Sequence, residues 1–489
     1  MSGKRTAVSS LDGVTSSSPG ELGTPAPALV ARTVEIDPAR VEDLLALLPT
    51  DDPVSWVRRD EGLVGWGRAA ELRTAGAARF EDAAAWWSEL TSRAVVRDEV
   101  TEPGTGLVCF GTFAFADSPG DSVLVVPSVV VGRRGERAWL TTVGRGLEHL
   151  DHALVAAEAP RAPEGIAFTD GALDGEAWMS AVADAVSRIE RGDLEKVVLA
   201  RDLVARADGD VDVRWPLRQL SSAYPMCWTF HVDGMVGATP EMLVRRERGL
   251  VTSRVLAGTI RRTGDDERDL ALAAALARSS KDLEEHEYAV RSVADALDPH
   301  CSSMNVPEAP FVLHLPNVMH LATDVAGVAR DARTSLELAA ALHPSAAVGG
   351  TPTTAAVALI AEIEQMDRGR YAGPVGWMDA SGDGEWGIAL RSASVSGDTV
   401  RLFAGCGIVA DSDPEAELAE ACGFHGFFFG EHHQDRDGFL PSPLIVCSAV
   451  AARVGGYPLR TRVEERNVRW TGHPHYEVLV AQVTPSCPR

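Results

Sequence analysis

Residues 194–204 read LEKVVLARDLV, and in that run Leu194, Val197, Val198 and Leu199 predict a strand with at least one buried face. A helix expected over 177–192 leads into it. Beyond it, strands are expected over 228–232 and 243–246, a helix from Asp269, an apolar segment over 311–325 and a helix over 353–366. Further strands are expected over 375–378, 386–395 and 400–404. Residues 33–174 alternate strand-like runs (62–67, 107–116, 122–131, 139–142) with alanine-rich helical stretches (77–94, 147–159) and carry no motif of their own. Strands and helices alternate without a βαβ period or a repeat. That order favours an α+β sandwich of sheets over a doubly wound fold.

With 489 residues, the chain is long enough for one large enzyme core or for several average domains. Its 45% hydrophobic and 24% charged residues are those of a globular protein, and no apolar run reaches the ~18 residues of a membrane span. Residues 1–32, rich in Ser, Gly and Pro, read as a disordered leader without the apolar centre of a secretory signal, so a cytoplasmic location is expected. The seven cysteines are odd in number and never spaced CxxC, which argues against a disulfide framework or a zinc site. A formal charge of -24 repels nucleic acid. The sequence leaves the oligomeric state open.

Among 46 basic residues only Lys4, Lys196 and Lys281 are lysines. Where a plain positive charge suffices this chain uses Arg, so a lysine in an ordered region stands out: burial can deprotonate Lys and not Arg. Desolvation of Lys196 would suit it to general-base work, although a strand-end lysine can equally snorkel to solvent. Glu241 follows the turn GATP; burial would fit it for general acid work, and a turn-end glutamate in water is the plain alternative.

Asp282 with Glu285, and Glu417 with Glu420, each have the three-residue spacing that puts two carboxylates on one helix face. Two such helices face to face would make an oxygen cage for Mg2+. Ser279 with Asp282 also reads as a capping box, and Asp413 with Pro414 as a helix start whose first-turn acids are ordinary. His320, Tyr371, Arg391, Gly258 and Thr259 in LAGT, and Gly405 and Gly407 in AGCG, have the chemistry to hold carboxylates, the glycines through their main-chain N–H groups.

In order along the chain stand EKVVLAR, GATPEML, LAGTIRR, SSKDLEEH, VMHLATDVAG, LHPSAAVGGTP, DRGRYAGPVGWMDASGDGEWGIALR and FAGCGIVADSDPEAELAE. Together they resemble the chorismate-utilising enzymes, specifically isochorismate synthases, strongly over 176–420 and more weakly over 36–175. The resemblance implies large, mainly antiparallel sheets with outer helices in one catalytic domain over 33–420. It implies Lys196 as the base that activates water for attack at C2 of chorismate, and Glu241 as the acid that protonates the departing C4 hydroxyl. Glu285 and Glu420 are implied as direct Mg2+ ligands, with Asp282 and Glu417 acting through water. Gly258, Thr259, His320, Tyr371, Arg391, Gly405 and Gly407 are implied to hold the substrate. Relatives that use ammonia lack a lysine at the Lys196 position, so water is the implied nucleophile. Menaquinone or siderophore biosynthesis is the implied setting, and a salicylate synthase, which goes on to eliminate pyruvate, is the alternative within the family.

The resemblance stops after Glu420. Residues 421–489 hold three of the seven cysteines and five of the thirteen histidines, and Phe424 stands where the family places a substrate-binding lysine. Residues 423–453 instead resemble the first strand and loop of luciferase-like flavin monooxygenases, too short a piece to form a barrel. This tail is expected to be no complete domain and to impair the site; a flavin-binding oxidoreductase fusion and an inactive chorismate binder are the other readings it leaves.

Overall fold

Strands from both halves of the chain build each of two large sheets, which pack face to face. The computed structural model describes residues 28–421, apart from 119, 146–153, 155, 315–317 and 332, together with 462–463 and 481–482. The N-terminal part holds β1 (Val30–Ile36), β2 (Val54–Arg58), β3 (Glu61–Trp66), β4 (Ala70–Ala75), α1 (Arg79–Arg93) and β5 (Val95–Asp98). It continues with β6 (Val108–Thr112), β7 (Asp121–Val126), β8 (Val129–Arg134), β9 (Arg137–Gly144) and β10 (Ala167–Asp170).

After them come α2 (Gly175–Glu190), β11 (Lys196–Arg206), α3 (Arg214–Ala223), β12 (Trp228–Val232), β13 (Met235–Thr239), β14 (Met242–Glu247) and β15 (Leu250–Arg261). Then follow α4 (Asp266–Leu276), α5 (Ser280–Leu297), β16 (Cys301–Asn305), β17 (Phe311–His314), β18 (Val318–Ala329) and α6 (Ser335–Leu342). The last are β19 (Gly350–Thr351), α7 (Thr353–Ile363), β20 (Pro374–Asp379), β21 (Gly384–Ile388), β22 (Ser392–Ser396), β23 (Thr399–Ile408) and α8 (Pro414–Ala421).

The first sheet runs β10-β11-β23-β22-β13-β12-β2-β3-β8-β9-β1-β5, with β19 also on β11. The second runs β16-β18-β15-β14-β21-β20-β6-β7-β4, with β17 on β18. Neighbours are antiparallel except β1 and β5. The helices lie outside: α2 buries Trp178, Val182, Ala185 and Ile189, a single stripe of helical period, and packs on β11, β23 and α8. The α+β sandwich expected from the sequence is the architecture observed. No helix among the described residues is long and apolar enough to cross a membrane.

Two expected strands are each two strands in different sheets. The run 122–131 is broken at Pro127 and Ser128 into β7 of the second sheet and β8 of the first, because proline cannot donate to a ladder. The run 386–395 divides into β21 of the second sheet and β22 of the first, and the apolar segment 311–325 is the β17–β18 pair. Of the helix expected over 147–159, residues 147–153 and 155 lie outside the described residues, and 156–159 are irregular. Strand β1 begins at Val30, inside the stretch read as leader. Most of the tail, with Phe424 and the segment 423–453, lies outside the described residues.

The chain crosses between sheets at two corners that matter for the site. Pro240 and Glu241 carry it from β13 to β14, and residues 389–391 carry it back from β21 to β22. The corners are tied to each other: the Ile388 amide donates to the Glu241 carbonyl (3.2 Å) and the Ala238 amide to the Arg391 carbonyl (3.3 Å).

Candidate active site

A cavity of about 1210 Å3 takes lining from both sheets, among them Lys196, Glu241, Gly258, His320, Tyr371, Arg391 and Gly405. Side chains alternate along a strand, so Lys196 and Asp202 of β11 project to one face of the first sheet, and Leu203 and Ala205, which line an apolar part of the space, to the other. Lys196 opens β11, paired with Thr351 of β19, and its aliphatic stem passes over Gly407 of β23.

Glu241 occupies the first corner because Pro240 ends β13 there. Its carboxyl is pushed up to about 7, mainly by burial, with the positive charge of Lys196 pulling the other way. A carboxyl that keeps its proton close to neutrality can serve as a general acid. Arg391 occupies the second corner in a left-handed conformation (φ 49°), its guanidinium exposed to the cavity and 5.8 Å from the centre of the Tyr224 ring. Burial, and then the charge of Arg391, hold the His320 imidazole below its ordinary range, which favours its neutral form. His320 on β18 lies in register with Thr259 on β15.

Tyr371 is buried, stacked on Phe403 with ring centres 4.8 Å apart, and burial pushes its phenol up to about 12. Its hydroxyl comes so close to β23 that a Cβ at Gly405 would stand 3.1 Å from it. Gly258 has φ +75°, at a bulge in the β15–β18 ladder between Ala257 and Thr259. A Cβ there would stand 3.2 Å from the Asp282 Cβ, so the first turn of α5 rests on the cavity wall.

Both acidic segments are helical. The Ser279 hydroxyl caps α5 by accepting from the Asp282 amide (3.3 Å), and Pro414 is the first residue of α8. Ser279 is thus the N-cap of α5, but its own amide donates to the Leu276 carbonyl (3.2 Å), so the reciprocal bond of a capping box is not made. α8 packs on β23, with the Cys406 thiol 3.9 Å from the Glu417 carbonyl oxygen. The side chains of Thr259, Glu285 and Glu420 lie outside the described residues. Among the described residues, no three His, Cys, Asp or Glu side chains converge as a metal site.

Four residues that support this site escaped the sequence reading. His286 is buried in α5 and bonds the Ala257 carbonyl (3.1 Å) and the Thr323 hydroxyl (2.8 Å), pinning that helix to β15 and β18. Cys227 is buried beside Arg391; burial pushes its thiol up, and the charge and hydrogen bond of Arg391 oppose that. Glu364 and Arg368 form a buried ion pair behind β11. Arg368 and His286 lie inside the quoted segments DRGRYAGPVGW and SSKDLEEH, and the type of residue alone did not single them out.

Sheets that switch partners at two charged corners over one deep cavity define the class. The chain belongs to the chorismate binding enzyme family, whose match spans residues 23–423. Within that class it is similar to the isochorismate synthase MenF of Bacillus subtilis, with 31% identity over 73% of this chain and 82% of that protein. It is 35% identical to the salicylate biosynthesis isochorismate synthase of Pseudomonas aeruginosa, over 81% of this chain and 88% of that one. The crystal structure of MenF, the menaquinone-specific isochorismate synthase of Escherichia coli, superposes with a TM-score of 0.68 at 25% identity, covering 82% of this chain and 94% of that chain. The resemblance drawn from the eight sequence segments is borne out.

Proposed function

We propose that this enzyme converts chorismate to isochorismate in a Mg2+-dependent reaction. The observation that carries the proposal is the placing of Lys196 and Glu241 on one cavity, with the Glu241 proton retained up to about pH 7. Lys196 takes a proton from water as its oxygen bonds to C2, the ring double bonds shift, and the C4 hydroxyl departs with the proton of Glu241. Base and acid act on opposite ends of one displacement. Arg391, Tyr371, His320 and the main chain at Gly258, Thr259, Gly405 and Gly407 hold the substrate carboxylates and hydroxyl.

A dianion enters a chain of formal charge -24 only where the local field is reversed. Four acids on two helices, α5 packed on β15 and α8 on β23, would be a donor set of hard oxygens suited to Mg2+. Glu285 and Glu420 would bind it directly and Asp282 and Glu417 through water, where it would supply positive charge to a substrate carboxylate. Incubating the protein with chorismate and Mg2+ and separating the products by chromatography tests the reading. Isochorismate is the expected product. Salicylate with pyruvate would identify a salicylate synthase, and unchanged chorismate would overturn the proposal.

A further inference from the structure

Strand β11 carries Lys196, and one of its two edges is incompletely paired by strands. On the other edge β23 runs alongside from Val197 to Arg206 without a break. On the incomplete edge β19 pairs with Lys196 and Val197, and β10 with Leu203 to Arg206. The Val198 amide still reaches the Gly349 carbonyl (2.9 Å), but the Val198 carbonyl and the Ala200 amide face no strand. A buried main-chain group left without a partner is costly.

Two side chains fill the gap. The Ala200 amide donates to Glu364 Oε1 (2.7 Å), and Arg368 donates to the Val198 carbonyl (2.7 Å). Arg368 and Glu364 are bonded to each other, Nε to Oε2 at 2.9 Å, and each side chain is 2% exposed. The guanidinium also donates to the Val348 carbonyl (2.9 Å), just ahead of β19, and lies 4.2 Å from the centre of the Phe115 ring. The carbonyl of Arg368 accepts from the Tyr371 amide (3.1 Å). One ion pair thus touches the strand of Lys196, the approach to β19 and the turn that carries Tyr371.

We propose that the Glu364–Arg368 pair is a positioning device: it replaces a missing length of strand beside β11 and so holds Lys196 in register with the substrate. The inference rests on the role of Lys196 given above. A buried ion pair is weak grounds for expecting net stability, and apolar residues of equal volume often serve the fold as well. They could not bond Val198 and Ala200. Lysine at 368 keeps the charge but has no planar fork to serve Glu364, Val198 and Val348 together.

The test compares Arg368→Lys with the wild-type protein by steady-state kinetics, melting temperature and amide hydrogen exchange. The expected result is a fall in kcat of about tenfold to a hundredfold with KM within about threefold, as for a misplaced catalytic group. Exchange should quicken at residues 198–200 and stay unchanged in the β1–β9 ladder. Unchanged kcat in a folded variant would overturn the proposal, as would exchange that quickens equally throughout the protein. Should Arg368→Lys fail to fold, Glu364→Gln keeps the volume and an oxygen acceptor and carries the same expectations. If the wild-type protein makes no isochorismate, the proposed reaction fails, while local exchange at 198–200 still decides whether the pair holds the strand.

Discussion

Gly407 lies beneath the side chain of Lys196: a Cβ atom at position 407 would stand 3.1 Å from Lys196 Cε and 3.7 Å from its Nζ. The lysine stem is flexible, so Gly407→Ala should be accommodated by a displaced ammonium group without loss of the fold. A fall in kcat of about tenfold with little change in melting temperature is expected. A melting temperature that drops along with kcat would place the fault in the strand instead.

Lys196→Ala should abolish conversion while chorismate binding, followed by calorimetry, stays within a few fold. The base acts on the nucleophile and adds little to ground-state affinity. Lys196→Arg should fail as badly, since Arg remains protonated. Substantial turnover by the Arg variant would exclude Lys196 as the base.

Glu241 ties activity and stability to pH in the same sense: both fall as pH rises. The acid must be protonated, so kcat should fall as pH rises through about 7. Its carboxyl has a folded-state pKa raised above the unfolded value of 4.5, so the folded state binds the proton more tightly. That contribution to stability is complete below pH 4.5 and is lost as pH rises to about 7. A shift of this size corresponds to roughly 3 kcal/mol. Glu241→Gln should therefore be inactive yet melt higher than wild type at pH 8, with the gap closing towards pH 5. Equal melting temperatures at pH 8 would show that the carboxyl is not held neutral by burial.

The two acidic helices predict a graded response to Mg2+. Glu285→Gln and Glu420→Gln should weaken metal affinity more than Asp282→Asn, because in the proposed site Asp282 would reach the ion only through water. Titrating activity with Mg2+, or calorimetry with Mg2+ alone, reads this order. Equal affinity across the three variants would argue against a cage shared by α5 and α8.

Much of this organisation is visible in the residues themselves. Lys196 could be singled out because it is one of three lysines, and β11 because its apolar residues cluster; the mixed order of elements pointed to an α+β sandwich. What a single sequence hides is where the chain changes sheets. Residues 386–395 read as one strand because β-like residues lie on both sides of Arg391, while the left-handed turn at Arg391 follows from packing between the sheets. Glu364 and Arg368 hide for another reason: a Glu–Arg pair four residues apart usually marks a solvated helix face. Only the gap beside β11 reveals that this one is buried.

The sheets also determine how the molecule can be divided. β2 pairs with β12 and β6 with β20, so the motif-poor N-terminal part completes both sheets that hold Lys196, Glu241 and Arg391. Cutting the chain near residue 175 would strip the edges from β12 and β20 and leave two hydrophobic rows of unpaired amides. The segment that carries every chemical motif is thus not a portable module. Selection can let the residues of the N-terminal part drift, provided their alternation and strand lengths keep those two seams closed.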